Sequence, residues 1–226
     1  MKSGTSKWNS EKKQVLEAAQ LMAENGLVVG TSGNVSMRVN SDDGRDLMAI
    51  TPNARYYDRM SVDDIVVADF EGENVEGELR LSIEKLLHIG IYKARKKVNA
   101  VVHSHPTFGN IVSVAGLEIP EILDDQVTYL GGEIKLARYA IPGTADLVDN
   151  TLEALGPRNG ALLSNHGAVS VGRDMKEAFV ACELLERTAQ IYVFTMLLGK
   201  VVPLPEQAQA VEKAYFNYQH GEESQA

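Results

Sequence analysis

Residues 84–106 read EKLLHIGIYKARKKVNAVVHSHP. The segment opens on a carboxylate and closes on two histidines. Between them, Leu86, Leu87, Ile89, Gly90, Ile91 and Ala94 make an amphipathic helical pattern, and a β-branched run follows at 98–102. His103 and His105 are two apart, and side chains two apart on a strand share one face. Imidazole nitrogen is a preferred zinc ligand, and a tetrahedral site then needs only one or two more. A helix packed back on the strand returns Glu84 to the end that carries the imidazoles. A third histidine, His166, stands near the end of a second apolar run, ALLSNHG. Together these residues predict a metal held by His103, His105 and His166, with Glu84 ligating it or beside it as acid and base. His88, one helical turn from Glu84, is read as packing or support and is given no catalytic role.

Beyond that segment, 226 residues with 44% hydrophobic content suit one domain with a full core. A formal charge of −9 argues against a nucleic-acid surface. The only basic run, Lys93 to Lys97, falls at a helix end, where the dipole favours it. The single cysteine, Cys182, excludes an internal disulfide framework and points to a reducing compartment. The polar start lacks the apolar segment of a signal peptide, and no run is long enough to span a membrane. The expectation is a soluble, cytoplasmic protein that contacts neither membrane nor nucleic acid.

Residues 1–10 are polar and read as a disordered start. Asn9 or Ser10 would cap a helix over 11–25, with Gly26 at its C-terminal end. Val35, Met37 and Val39 alternate as a half-buried strand, entered through Gly30-Thr31-Ser32-Gly33-Asn34. That small-residue turn is a tight connection first, although such turns also hold anions. Further strands are expected at 46–51 and 65–70, with a hairpin-like turn at 71–74, so short links join early strands into a largely antiparallel sheet. Residues 106–114 read as helical, 119–125 as irregular and 133–140 as a strand. Thr144 caps a helix to residue 155, strands at 161–164 and 168–171 flank Asn165-His166-Gly167, and Asp174 caps a long helix over 175–198. A short helix carrying Tyr215 and Tyr218 follows Pro203, then a polar tail. One α+β domain over 11–205 accounts for this, with 206–226 as C-terminal helix and tail.

A metal on three imidazoles keeps its charge and acts as a Lewis acid. With a carboxylate beside it, the natural chemistry is making or quenching an enediolate, with Glu84 moving the proton. That covers aldol cleavage, epimerisation, β-keto acid decarboxylation and dehydration. Imidazole suits zinc, and also manganese, cobalt or iron.

The chain resembles the class II aldolase/adducin family. The resemblance rests on Gly30-Thr31-Ser32-Gly33-Asn34-Val35-Ser36, Ile50-Thr51-Pro52, Asp64-Ile65-Val66, Ser82 to His88, Ala100 to Pro106, and Asn165-His166-Gly167, in that order. It implies an α/β/α sandwich around a mixed, mainly antiparallel sheet. It implies a divalent metal, usually zinc, on His103, His105 and His166, with Glu84 as acid/base residue and ligand of the empty metal. Thr31, Gly33, Asn34 and Ser82 match positions lining a substrate phosphate. The usual assembly is a C4 homotetramer with active sites at subunit interfaces.

The chain also departs from the family pattern. It has Thr51-Pro52-Asn53-Ala54 where these aldolases usually read Thr-Pro-Ser/Thr-Gly, and Ile83 where a hydroxyl residue precedes the glutamate. Asn53 is accordingly a candidate substrate contact of altered chemistry. Where a tyrosine acid follows the Ile-Pro turn in the family, this chain has Asp124, with Tyr129 nearby. The C-terminal tyrosine that reaches a neighbour's site corresponds to Tyr218 or Tyr215. The leading expectation is a zinc-dependent lyase acting on a ketose phosphate. The alternative is a decarboxylase, epimerase or dehydratase acting on a non-phosphorylated hydroxy or keto acid. A non-catalytic, adducin-like interaction protein is the third reading, against which the complete metal set speaks.

Overall fold

The structure, a computed structural model, describes residues 6–221. Among the described residues, eight strands form one sheet: β1 (Asn34–Val39), β2 (Leu47–Ile50), β3 (Val66–Asp69), β4 (Asn74–Glu76), β5 (Ala100–Ser104), β6 (Lys135–Ala137), β7 (Gly160–Leu163) and β8 (Gly167–Gly172). Their order is β4-β3-β2-β1-β5-β8-β7-β6. Neighbours run antiparallel except β6 and β7, which are parallel. This is the mixed, mainly antiparallel sheet expected.

Alternation along the strands sorts the core into two faces. Ala100 and Val102 of β5 pack with Val35 against α1 (Asn9–Glu24) and the first half of α6 (Met175–Leu197). Val101, one residue out of phase, packs with Met48 and Ile50 against α2 (Lys85–Ala94) and α5 (Ala145–Leu155). Burying each valine, isoleucine or methionine among them contributes roughly 1.5–3 kcal/mol. Helices on both faces make an α/β/α sandwich. A third cluster, around Val112, Leu130, Leu162 and Leu185, closes the β7 side under α3 (Thr107–Val114) and α4 (Asp124–Leu130).

Several helix ends follow local chemistry. Asp174 Oδ1 accepts from Glu177 N at 2.8 Å and Thr144 Oγ1 from Leu147 N at 3.4 Å, as capping side chains do. Gly26, at φ +68°, lets Leu27 N reach Met22 O and Gly26 N reach Ala23 O, the paired bonds of a glycine-terminated helix. At α1, however, neither Asn9 nor Ser10 caps. The helix starts at Asn9 behind Trp8, with no side-chain cap. Trp8 is buried and its Nε1–H donates to Asn40 O at 2.6 Å, so tertiary packing sets this end. Residues 6–10 are thus built into the fold, while residues 1–5 of the expected disordered start lie outside the described residues.

Three other expectations change. The strand foreseen over 133–140 shrinks to Lys135–Ala137, because only those residues pair with β7. The stretch after Pro120 contains α4, seven residues long and too short to show a helical period, ended by Gly131 at φ +87°. The C-terminal helix, α7 (Glu206–His220), is 15 residues rather than short, and the polar tail after 221 lies outside the described residues. Among the described residues no helix is long and apolar enough to cross a membrane.

Candidate metal centre

Four elements deliver the predicted residues to one end of the sheet. His103 is the fourth residue of β5, and His105 follows the strand end. The β7–β8 turn carries His166. Its shape depends on Asn165 at φ +54°, a left-handed conformation that asparagine tolerates better than most residues, and His166 N bonds back to Leu163 O at 3.1 Å. Gly167 must lack a Cβ, because Ser104 O and the His105 ring occupy that space. Glu84 is the N-cap residue of α2, and Ser82 Oγ accepts its N–H at 3.2 Å.

The geometry brings donor atoms together. His103 Nε2 and His105 Nε2 are 3.1 Å apart. Glu84 Oε2 is 3.2 Å from His103 Nε2, and Oε1 is 3.2 Å from His166 Nε2. One nitrogen from each of the three histidines lies within 4.8 Å of the others. His103 Nδ1 bonds to Ala168 O at 3.0 Å, which places the proton of the neutral ring on Nδ1 and bares Nε2 toward the cluster.

Charge is concentrated here. Burial works against the Glu84 carboxylate, but His103 and His166 more than offset it and hold the carboxyl well below the usual range. Burial also opposes charge on His103, yet the Glu84 carboxylate raises its pKa. His105 is pushed down to about 4 by burial and by the neighbouring histidines. The residues fit a divalent cation on two grounds. Three imidazoles and a carboxylate are zinc-type donors. In addition, Glu84 Oε1 is buried yet accepts no hydrogen bond from the described residues, an expensive arrangement unless a cation completes it.

A cleft of about 370 Å³ opens onto the cluster, lined by Thr31, Gly33, Asn34, Asn53, Ser82 and Glu84 among others. Every predicted substrate contact therefore borders one space. Gly33, at φ +73°, has no room for a Cβ, which would lie 2.7 Å from His103 O, so the 30–34 turn is both a tight connection and a cleft wall. Ala54, at φ +54°, holds a left-handed bend at the cleft edge. Ile83 is 62% exposed and adds an apolar wall.

Asp124, Tyr129 and Tyr218 are not brought to this cleft within one chain. Asp124 begins α4, and Tyr129 borders a separate surface hollow with Asp125, Glu183 and Arg187. Tyr218 lies on α7 and is 86% exposed.

The sequence reading missed how Glu84 is held. Asn34 Nδ2 donates to Glu84 Oε2 at 3.0 Å. His88 Nε2 bonds to Asn34 Oδ1, and His88 Nδ1 to Ser36 Oγ at 2.6 Å, which in turn pairs with Tyr92 OH at 2.8 Å. A signal was present: Glu84, His88 and Tyr92 recur every four residues on one helix stripe, while Asn34 and Ser36 alternate on one strand face.

Comparison with known proteins places this geometry. The family described as Class II Aldolase and Adducin N-terminal domain matches residues 13–193. The 5-deoxy-D-ribulose 1-phosphate aldolase of Bacillus thuringiensis serovar kurstaki is 33% identical over 196 residues, covering 87% of this chain and 90% of that protein. The L-fuculose phosphate aldolase of Escherichia coli K12 is 33% identical over 87% of this chain and 88% of its own. Among solved structures, an L-fuculose 1-phosphate aldolase superposes with a TM-score of 0.85 at 29% identity, covering 92% of this chain and 96% of that one.

Proposed function

The chain belongs to the class II aldolase and adducin family, and from that premise we propose that it is a divalent-metal aldolase that reversibly cleaves a ketose 1-phosphate at a carbon–carbon bond. The observation that carries this reading is the convergence of Glu84 with His103, His105 and His166 at the mouth of one cleft. The relatives that act on 5-deoxy-D-ribulose 1-phosphate and L-fuculose phosphate support the substrate class.

His103, His105 and His166 would hold the metal, with Glu84 as ligand or neighbour, and zinc is the first choice over manganese, cobalt or iron. When bound, the cation supplies Lewis acidity toward a substrate carbonyl or hydroxyl oxygen. Glu84 moves the proton at carbon. Its Oε2 is held by Asn34, which leaves Oε1 to take and return the proton. Thr31, Gly33, Asn53 and Ser82 orient the phosphate end, and burial of Glu84 and His103 keeps water from the reacting groups. Cleavage also needs a group to take the hydroxyl proton of the aldehyde fragment. Tyr218, Tyr129 and Asp124 are the candidates, supplied by a neighbouring copy in a homotetramer. The single cysteine, buried in α6, fits a reducing compartment, and the reading places the protein in the cytoplasm.

The test is dihydroxyacetone phosphate release from a panel of ketose 1-phosphates, including L-fuculose and 5-deoxyribulose 1-phosphates, with metal-loaded and chelated protein. Metal-dependent release supports the reading. No release from any member by the metal-replete protein would sink it. Ile83 at the cleft favours a second reading: decarboxylation, epimerisation or dehydration of a non-phosphorylated hydroxy or keto acid. The same panel without phosphate separates the two.

A further inference from the structure

The proposed chemistry uses Glu84 but leaves the polar line behind it unexplained. Asn34, Ser36 and His88 are all buried, His88 and Ser36 completely. Polar groups this deep persist only when their bonds are satisfied, and a satisfied chain has one direction. A carboxylate only accepts, so the Asn34 atom at Glu84 Oε2 is the NH₂ group and the atom at His88 is the carbonyl. His88 must then donate through Nε2–H and leave Nδ1 as acceptor. Ser36 Oγ fills that acceptor at 2.6 Å and itself accepts from Tyr92 OH at 2.8 Å. Burial holds the His88 pKa down to about 3, so the ring stays neutral. Arg38 anchors the far end, donating to Tyr92 O at 2.9 Å with its guanidinium 4.9 Å from the Tyr92 ring centre.

We propose that His88 is the positioning residue for Glu84: its Nε2–H locks the Asn34 amide in the one orientation that donates to Glu84 Oε2, so that Oε1 is the oxygen left to move the proton. The proposal rests on reading Glu84 as the proton-transfer group. Without the lock, the Asn34 amide can rotate and present its carbonyl to the carboxylate, which repels it and turns Glu84 away from its working direction.

His88→Gln and His88→Asn separate this role from packing. Glutamine reaches the place of imidazole Nε2 and can donate to Asn34, whereas asparagine reaches only the place of Nδ1. In metal-loaded protein, His88→Asn should lower kcat about 30- to 100-fold with KM within about threefold, while His88→Gln stays within about fivefold of wild type. Metal content should match wild type in both. In metal-free protein, the side-chain amide resonances of Asn34 should shift in His88→Asn and stay near wild type in His88→Gln. Equal turnover per bound metal in the two variants, or Asn34 resonances indifferent to the exchange, overturns the proposal. If His88→Asn does not fold, Ser36→Ala keeps the ring and removes only the hydroxyl that leaves Nδ1 unprotonated. A kcat fall of about three- to tenfold there supports the role, and unchanged kcat overturns it. If the wild type cleaves no ketose phosphate, the functional reading fails by itself. The Asn34 resonances then decide the positioning role, a shift supporting it and no shift overturning it.

Discussion

Glu84 and Glu177 both lie against histidine, Glu84 at 3.2 Å from His103 and His166 and Glu177 at 2.8 Å from His220. Their surroundings differ in kind. Glu177 is saturated by fixed donors: Arg173 N at 2.6 Å and its Nε at 3.1 Å reach Oε2, and Arg173 Nη2 at 2.9 Å and His220 reach Oε1. It clasps α7, which ends at His220, onto the start of α6. Among the described residues, Glu84 has no arginine or lysine partner, one amide donor on Oε2 and no hydrogen bond on Oε1, although it is more deeply placed. A carboxylate whose bonds are complete holds structure together. One left incomplete among converging imidazole nitrogens is what the proposed cation and proton chemistry would use.

The largest expected effect tests the functional side of this contrast. Glu84→Gln should lower kcat about 10²- to 10⁴-fold while metal stays bound by the three histidines, measured as turnover per bound metal. Glu177→Gln should leave turnover per bound metal within about twofold, and similar losses in both variants would break the comparison.

Metal removal comes next. At a free metal concentration 100 times its Kd, binding should stabilise the wild type by about 2.7 kcal/mol, read as a rise in Tm. His166→Ala should show less than stoichiometric metal and a much smaller rise. A full rise in the variant would remove His166 from the ligand set.

The clasp gives a smaller, pH-dependent effect. Burial opposes the Glu177 charge, but His220 and Arg173 bring its carboxyl down to about 2 from an ordinary 4.5. A depressed carboxyl contributes stability that is fully present above about pH 4.5 and lost as pH falls toward 2. Arg173 is 48% exposed, so screening limits the contribution to about 1 kcal/mol. Glu177→Gln should therefore lower Tm by a few degrees at pH 7, with the gap to wild type closing between pH 4.5 and 2. A gap that is constant with pH would mean that packing, rather than charge, holds α7.

The smallest effect lies at the cleft rim. Ala54 at φ +54° bears a strain that glycine does not, so Ala54→Gly should be stabilising by about 0.5–1 kcal/mol in chemical unfolding. A loss of stability would show that the alanine methyl makes contacts worth more than the strain.

Much of the candidate metal site was legible because its spacing is short. His103 and His105 declared themselves by the two-residue period of a strand, and His166 by the turn residues around it. The residues proposed to contact substrate came through the family resemblance, and they share one cleft. Asp124, Tyr129 and Tyr218 could not be placed from sequence, because spacing along a chain says nothing about which surface two distant helices present. α4 was missed for a related reason: at seven residues its stability comes from packing on α6 and α7 rather than from a visible period.

By itself, then, the sequence determined the local patterns: alternating strands, the four-residue stripe of Glu84, His88 and Tyr92, and the caps at Thr144 and Asp174. It also carried the family resemblance. Only the tertiary structure decided which patterns meet. The sheet order sets β1 beside β5 with Asn34 opposite His103, and that register lays the Asn34–Ser36 face against the α2 stripe. The physical reason is one of range. Periods of 2 and 3.6 residues follow from backbone geometry that every segment carries within itself. The pairing of residues 50 or more apart follows from burying one shared core, which no segment holds alone.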